Sequence, residues 1–506
     1  MPPLPGRKTV ELFGRHNKRA MNMRLIRIIS CILVPAGLVL ALVLPCTLEG
    51  SQRLEPMIGV IDIRTTYSDG DFSARQLVAM AKERGIDALL ITDHDRMLLQ
   101  YGLFPFRNLL FLRIEKPSVL KNGAREYFAM LDKASGSGDV IIVPGLESAP
   151  FYYWTGWPIP GRLTAHDWEK HLLIFGMEDA ESINGLPILH NTLGTRYVQR
   201  YLPWTIPFAI PLLFCLWLVF IKGTRRWWSW SLLIVSTLLL IAHHPFASSP
   251  FDPYHGDQGI QPYQELIDYV NSRGGMCFWS HPETTTGVRD LGTIKVSTPP
   301  HPDDLLEAQD YTGLAAVYGD IITATEPGMQ WDVVLNEFCT GLRKRPAWGI
   351  SSSDYHNEHP APFGTYITTF LVTERTKQGV LEAMGMGRMY NYIGPQDERI
   401  TLERFEVEDP GTGNSASMGE EMISMEPPVV RVRAMIPAAE NPTPLRVRII
   451  RSGKVCYRGE EHNGVVDVSL VDLEAEPGGM HFYRVEIKGK GRMLSNPIFV
   501  TLRKGP

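Results

Sequence analysis

Ala88-Leu89-Leu90-Ile91-Thr92-Asp93-His94 sets a short apolar run directly against a carboxylate and an imidazole. Four apolar residues bounded by polar ones suit a buried strand of a parallel sheet. The pattern recurs along the chain. Val140-Ile141-Ile142-Val143 leads into Gly145-Leu146-Glu147, and Met276–Trp279 leads into Ser280-His281-Pro282. Another predicted strand runs into Asp354-Tyr355-His356, while Ser68-Asp69-Gly70 and His171, ahead of its own apolar run, complete six stations. Polar residues at the C-terminal ends of successive strands are where barrel enzymes build their sites. Neutral imidazoles and carboxylates are the donors that Zn²⁺, Mn²⁺ or Fe²⁺ accept. The expectation is one site for two or three divalent ions.

The order of these stations resembles the polymerase and histidinol phosphatase (PHP) superfamily of metal-dependent hydrolases, over about residues 57–395 with one large interruption. The likeness within it is to the membrane-associated, carbaryl-hydrolase-like branch. Members open with His-x-His-Thr-x-x-Ser-Asp-Gly, and this chain reads Asp62-Ile63-Arg64-Thr65-Thr66-Tyr67-Ser68-Asp69-Gly70. The resemblance implies that Glu147, His171 and His281 form one metal site, with Glu147 bridging to a neighbouring ion. It implies a second site from Asp69, His94 and His356, and a third from the two opening positions with Glu147 and Asp354. Asp62 can still ligate through oxygen. Arg64 cannot, because its guanidinium keeps its protons and offers no lone pair. Arg64, Asp93 and Glu147 are the expected catalytic set: Arg64 as an electrophile on a phosphate, Asp93 as an orienting group.

At 506 residues the chain exceeds one compact domain, and its net charge of −5 gives no nucleic-acid footprint. Six cysteines, none in a Cys-x-x-Cys pair, suggest neither a disulfide framework nor a zinc ribbon. Residues 28–48 form an apolar run behind a basic tail, 1–27. That reads as a transmembrane anchor with its tail in the cytoplasm, a cleaved signal peptide being the alternative. Residues 202–242 form a second apolar region, broken by Lys222-Gly223-Thr224-Arg225-Arg226. It reads as a transmembrane helical hairpin with a cytoplasmic tip, or as a buried helix pair. The charge bias of both segments places the rest of the protein on the extracytoplasmic, periplasmic side.

The barrel is therefore expected in two parts, 57–195 and 255–395, with helices at Gln76–Arg84, Tyr263–Ser272 and Trp331–Lys344. Residues 96–125 are an insert rich in Phe and Leu that packs on the barrel or touches the membrane. Its Arg113, Lys116 and Lys121 are candidates to meet an anionic substrate. Beyond 400, runs such as Val429–Ala434, Leu445–Ile450 and Phe482–Ile487 alternate in period two, the pattern of a β-sandwich over 400–506. The fold class is α/β: a distorted (β/α)7 TIM-like PHP barrel interrupted by the hairpin, with the N-terminal anchor and the sandwich. Two functions follow. One is a membrane-anchored hydrolase of small-molecule or envelope phosphate esters. The other is a catalytically degenerate envelope protein that binds a ligand or partner.

Overall fold

The structure is a computed structural model that describes residues 54–503, except 137, 159–161, 192, 223–226, 286, 320–321 and 438–442. The basic tail, the expected anchor over 28–48 and most of the hairpin tip lie outside the described residues.

Seven strands close into a barrel: Glu55–Ile63, Ala88–Ile91, Ile141–Ser148, Leu172–Phe175, Met276–Trp279, Gly313–Val317 and Trp348–Tyr355, the last pairing back onto the first. Ala88–Ile91 and Leu172–Phe175 are buried at every position. Both faces of these strands are therefore covered, which is why they read as unbroken apolar runs. Leu172–Phe175 runs antiparallel to both of its neighbours, whereas the other junctions are parallel. The reversal accounts for the one station that stands ahead of its apolar run. His171 precedes its strand, and the strand's reversal brings it to the same rim as the other stations.

The helix Ala74–Glu83 starts at a capping box of Ser73 and Gln76 and buries Leu77 and Ala81. Gln261–Ser272 buries Leu266, Ile267 and Val270 in the same way. The helix expected over 331–344 is shorter, Gln330–Cys339. Gly341 stands at φ +77, and Arg343 turns back to donate to the carbonyls of Leu305, Leu306 and Ala308. A left-handed glycine just past the last turn is a common way to end a helix.

Tyr153–Gly156, Leu163–His166, Lys295–Thr298 and Gly287–Asp290 form a four-stranded sheet with an apolar cluster that includes Phe151, Tyr152, Trp154 and Val296. The insert after residue 96 is a β-hairpin, Leu98–Gly102 with Phe111–Glu115. Leu99 joins that cluster, and the Gln100 carbonyl accepts from Trp154 Nε1 at 3.0 Å.

Val198–Leu216, extended by a π-turn over Trp217–Ile221, packs against Trp227–Ala242. Val198–Ile221 is long and apolar enough to cross a bilayer, with a mean hydropathy of 2.2 and only 17% of its most apolar stretch buried. Trp227–Ala242 is shorter, at 16 residues. The foot of the pair is tied down by Thr205, whose hydroxyl donates to the His243 carbonyl at 2.8 Å, and by Tyr201, which donates to the Ser249 carbonyl.

The barrel sheet continues without a break into the C-terminal region. Tyr366–Val372 pairs with the first barrel strand, and Met389–Ile393, Arg492–Ser495, Gly479–Lys488 and Leu445–Arg451 follow in order. A second sheet, built around Thr401–Glu408, Val429–Met435 and Val465–Val471, faces it across a core that includes Phe405, Val432, Val447 and Val485. Arg484 on this sheet is fully buried and grips Asp332 of the barrel helix Gln330–Cys339 through two hydrogen bonds, 2.7 and 2.8 Å.

Candidate metal centre

Three site residues sit in backbone conformations that side-chain-bearing residues rarely adopt. Asp62 has φ 72, His281 φ 25 and Asp354 φ 42. Asp62 lies at a bulge in the first strand, between Ile61 and Ile63. Asp and His tolerate positive φ better than β-branched residues, and a bulge re-aims the side chain it carries. In the following loop, a Cβ on Gly70 would collide with the Arg64 carbonyl, so that position requires glycine.

Glu147, His171 and His281 meet at one point. Glu147 Oε1 lies 3.2 Å from His171 Nδ1 and 3.5 Å from His281 Nε2, and the two nitrogens are 3.4 Å apart. Donors around a tetrahedral ion at ~2.0–2.1 Å stand roughly 3.3–3.4 Å from one another. The triangle matches the spacing of one face of a tetrahedral coordination site. Glu147 Oε1 is buried without a hydrogen-bond partner, as is His281 Nδ1. A buried carboxylate oxygen left in this state is costly, and a cation among these donors would satisfy it. The residues fit a divalent ion.

Asp69, His94 and His356 form a second group of potential ligands. Asp69 presents one oxygen 3.6 Å from His94 Nε2 and the other 3.5 Å from His356 Nε2. The outer nitrogens are held in place. His94 Nδ1 lies 3.1 Å from Glu147 Oε2, and His356 Nδ1 lies 2.8 Å from the Asp354 carbonyl. Acceptors behind both rings fix the tautomer that leaves Nε2 free for a metal. The spacing here is looser than in the first triangle.

The third group, Asp62, Glu147 and Asp354, has a tenant. The fully buried Arg64 guanidinium donates to Asp62 Oδ1 at 2.6 Å, to the Thr92 carbonyl and hydroxyl at 2.7 Å, and to Asp354 Oδ1 at 3.3 Å. It also forms an ion pair with Glu147 Oε2. Glu147 thus faces the first triangle with one oxygen, while the other lies beside Arg64 and 3.1 Å from His94 Nδ1. Asp62 is saturated as well, accepting from Thr92, Ser280 and Ser352. Arg64 is not placed to touch a substrate phosphate: it has no exposed surface, and both Nη atoms are engaged. It positions the carboxylates from behind. Asp93, grouped with the catalytic residues on sequence, braces the loop behind the site. Its carboxylate accepts from Thr65 N and Oγ1 and from Ser68 N and Oγ.

The protonation pattern follows from this arrangement. Burial pushes the Glu147 carboxyl up, but Arg64, His171 and His94 outweigh it and hold the group well below the usual carboxylate range. Burial likewise opposes ionisation of Asp69, and His356 and His94 reverse the effect. Burial would lower His281, yet Glu147 and Asp354 raise it to about 9. His356 is raised to about 9 against its own burial by Asp69 and Asp354. His171, dominated by burial, is lowered.

A cavity of about 410 Å³ opens over these groups, lined by Asp69, His94, Glu147, His171, His281, Asp354 and His356. Its walls add residues that sequence reasoning passed over, among them Arg96, Trp168 and Arg289. Arg96 is paired with Glu115, and Arg289 with Glu169. Of the three cations suspected on the insert, Lys116 alone lines the cavity, and it makes no ion pair with any described residue. Arg113 pairs with Glu115, and Lys121 reaches only the Glu115 carbonyl.

No family model matches the chain, and no curated protein matches it. Among solved structures it is similar to a two-domain protein from Bacteroides vulgatus containing a predicted PHP-like metal-dependent phosphoesterase. That likeness has 12% identity and a TM-score of 0.35, and covers 89% of this chain and 96% of that one. A proposed metal-dependent phosphoesterase from Bifidobacterium adolescentis shares 14% identity at a TM-score of 0.27, over 59% of this chain and 88% of that one. An amidohydrolase from Chromobacterium violaceum, with bound sulfate and no metal, shares 14% at 0.26, over 60% and 88%.

Proposed function

We propose that this chain is a membrane-anchored, metal-dependent hydrolase of phosphate esters. The observation that carries the reading is the triangle of Glu147 Oε1, His171 Nδ1 and His281 Nε2, whose edges of 3.2 to 3.5 Å match a tetrahedral site. Bound there, and in the Asp69–His94–His356 group, divalent ions supply Lewis-acid polarisation of the phosphoryl oxygens and acidify a water. The remaining work falls to the chain. Lys116, unpaired at the cavity wall, neutralises the phosphate. Asp354, half-exposed to the cavity, accepts at its carboxylate the proton that the attacking water gives up. Arg64 holds Asp354 and Glu147 in place and supplies the positive charge that a third ion would bring. Asp93 keeps the Thr65–Ser68 loop, and with it Asp69, in register.

The apolar helix pair supports attachment to a bilayer, and the charge of the segments around it supports an extracytoplasmic barrel and sandwich. One observation favours a second reading. Arg64 fills the third carboxylate group, as it would in a binding protein that had given up catalysis. Metal analysis of the purified chain, with assays on phosphate mono- and diesters, separates the two. Activity that requires a divalent ion and is lost in Glu147→Ala establishes the enzyme; a metal-loaded protein inert on both classes of ester overturns it.

A further inference from the structure

The β-hairpin Leu98–Gly102/Phe111–Glu115 links the metal cavity to the foot of the helix pair. At one end Lys116 N donates to the Met97 carbonyl at 3.0 Å, and both residues line the cavity. At the other end Leu103 N donates to the Leu110 carbonyl at 2.7 Å. There Asn108 Nδ2 donates to the carbonyl of Ala242, the last residue of its helix, at 2.8 Å. Strand alternation sets Leu112 and Ile114 on one face, and the bonds of Leu103 N to Leu110 and of Lys116 N to Met97 carry the pairing one residue further at each end, to Leu110 and Lys116. Leu110, Leu112 and Ile114 are 54%, 61% and 41% exposed. Phe111–Glu115 is an edge strand, paired among the described residues only with Leu98–Gly102. Exposed edge strands ordinarily carry charge to discourage association, and a continuous apolar stripe on one marks a binding surface. This stripe runs ~20 Å at the rise of an extended chain. It begins beside a helix end and finishes at Lys116 on the cavity wall, whose ammonium has no ion pair among the described residues.

We propose that the stripe seats the hydrocarbon chain of a lipid phosphate ester, whose phosphate lies at Lys116 in the mouth of the metal cavity. This deepens the phosphoesterase reading and rests on it, and on the helix pair lying in a bilayer. The apolar tip, where Phe104 is largely exposed, sits level with the bilayer surface beside Ala242, and the chain of one lipid follows the stripe toward the cavity. The reaction is hydrolysis. Water oxygen bonds to phosphorus, the phosphorus–oxygen bond to the lipid alcohol breaks, and the departing alkoxide takes up a proton. The freed lipid alcohol keeps its chain and returns to the bilayer, while the phosphate leaves to water.

The test uses the full chain in phosphatidylcholine nanodiscs, with phosphatidic acid as the lipid probe and p-nitrophenyl phosphate as the soluble one. In Leu112→Ser/Ile114→Ser, the ratio of kcat/KM on phosphatidic acid to kcat/KM on the soluble ester is expected to fall about tenfold or more, the effect of losing contacts to a few methylenes. A phosphatidic acid carrying a diazirine in its acyl chain is expected to label the segment Leu110–Lys116. An unchanged ratio, label confined to the two apolar helices, or a cross-link through this edge to a second copy of the chain overturns the proposal. If neither ester is hydrolysed with any divalent ion, the phosphoesterase reading fails by itself, and the labelling still decides whether lipid occupies the stripe.

Discussion

Arg64 and Glu147 form an ion pair with essentially no exposed surface on either side chain, at the floor of the metal cavity. Asp62 and Asp354 complete the guanidinium's surroundings, so one cation serves three carboxylates. Burial alone would weaken its hold on the proton; the three carboxylates raise it well above the ordinary arginine range. Removing one partner of a buried pair leaves the other charge uncompensated, at a cost of about 3–5 kcal/mol. Arg64→Ala should lose stability of that order in the presence of a chelator. Arg64→His should regain most of it with a divalent ion and bind one more ion per chain than the parent. Thermal unfolding with elemental analysis checks this, and equal stoichiometry in the two proteins counts against the third carboxylate group as a metal position.

The raised imidazoles give a pH dependence with a definite sign. His281 and His356 titrate at about 9 in the metal-free protein, against an ordinary 6.5. Their protonated forms therefore stabilise the metal-free fold fully below pH 6.5, and that contribution is lost as pH rises through about 9. A metal must displace those protons. The increase in melting temperature on adding Zn²⁺ should therefore be larger at pH 9 than at pH 6.5, with proton release on binding. Calorimetry in buffers of different ionisation enthalpy measures the protons, and a metal effect that shrinks with rising pH would contradict the assignment.

The first triangle should dominate metal affinity. His171→Ala removes one corner of a closely spaced set, whereas His356→Ala removes a donor from the looser group. His171→Ala is expected to abolish the tightest binding step and all divalent-dependent hydrolysis, and His356→Ala to weaken the second step only. Titration with a competing chelator resolves the two steps; the reverse order would reassign the tight site.

Asp93 earns its place through the loop it braces. Its carboxylate takes four donors from Thr65 and Ser68. Hydrogen bonds to a charged group contribute about 1.5–3 kcal/mol each, and they do not add fully. Asp93→Ala should destabilise the fold by a few kcal/mol and weaken the Asp69 site, leaving the Glu147–His171–His281 step nearly intact. Urea unfolding and the same chelator titration test it, and equal loss at both sites would make Asp93 a ligand or proton carrier instead.

The membrane reading is tested by topology. A reporter fused after Lys222 should be active only in the cytoplasm, and one fused after Arg503 only outside it. The opposite pattern inverts the orientation.

What the sequence determined alone was local. Ala88–Ile91 and Met276–Trp279 read as strands because four-residue apolar runs are too short for a helix and suit a strand buried on both faces. The period-two runs beyond residue 400 form sheets for the related reason that one face is buried. The ligand types were legible because few side chains can donate a lone pair to a metal. What only the tertiary structure decided depends on contacts between residues far apart in the chain. The reversal of Leu172–Phe175 brings His171 to the rim, and nothing in four apolar residues specifies strand direction. Arg64 stands 290 residues from Asp354, and its position among three carboxylates follows from closing the barrel between the first and last of its strands. The exposure of Leu112 and Ile114 was equally hidden. An apolar residue reads the same in sequence whether it is buried or left uncovered, and only the tertiary structure shows that Phe111 to Ile114 are left exposed.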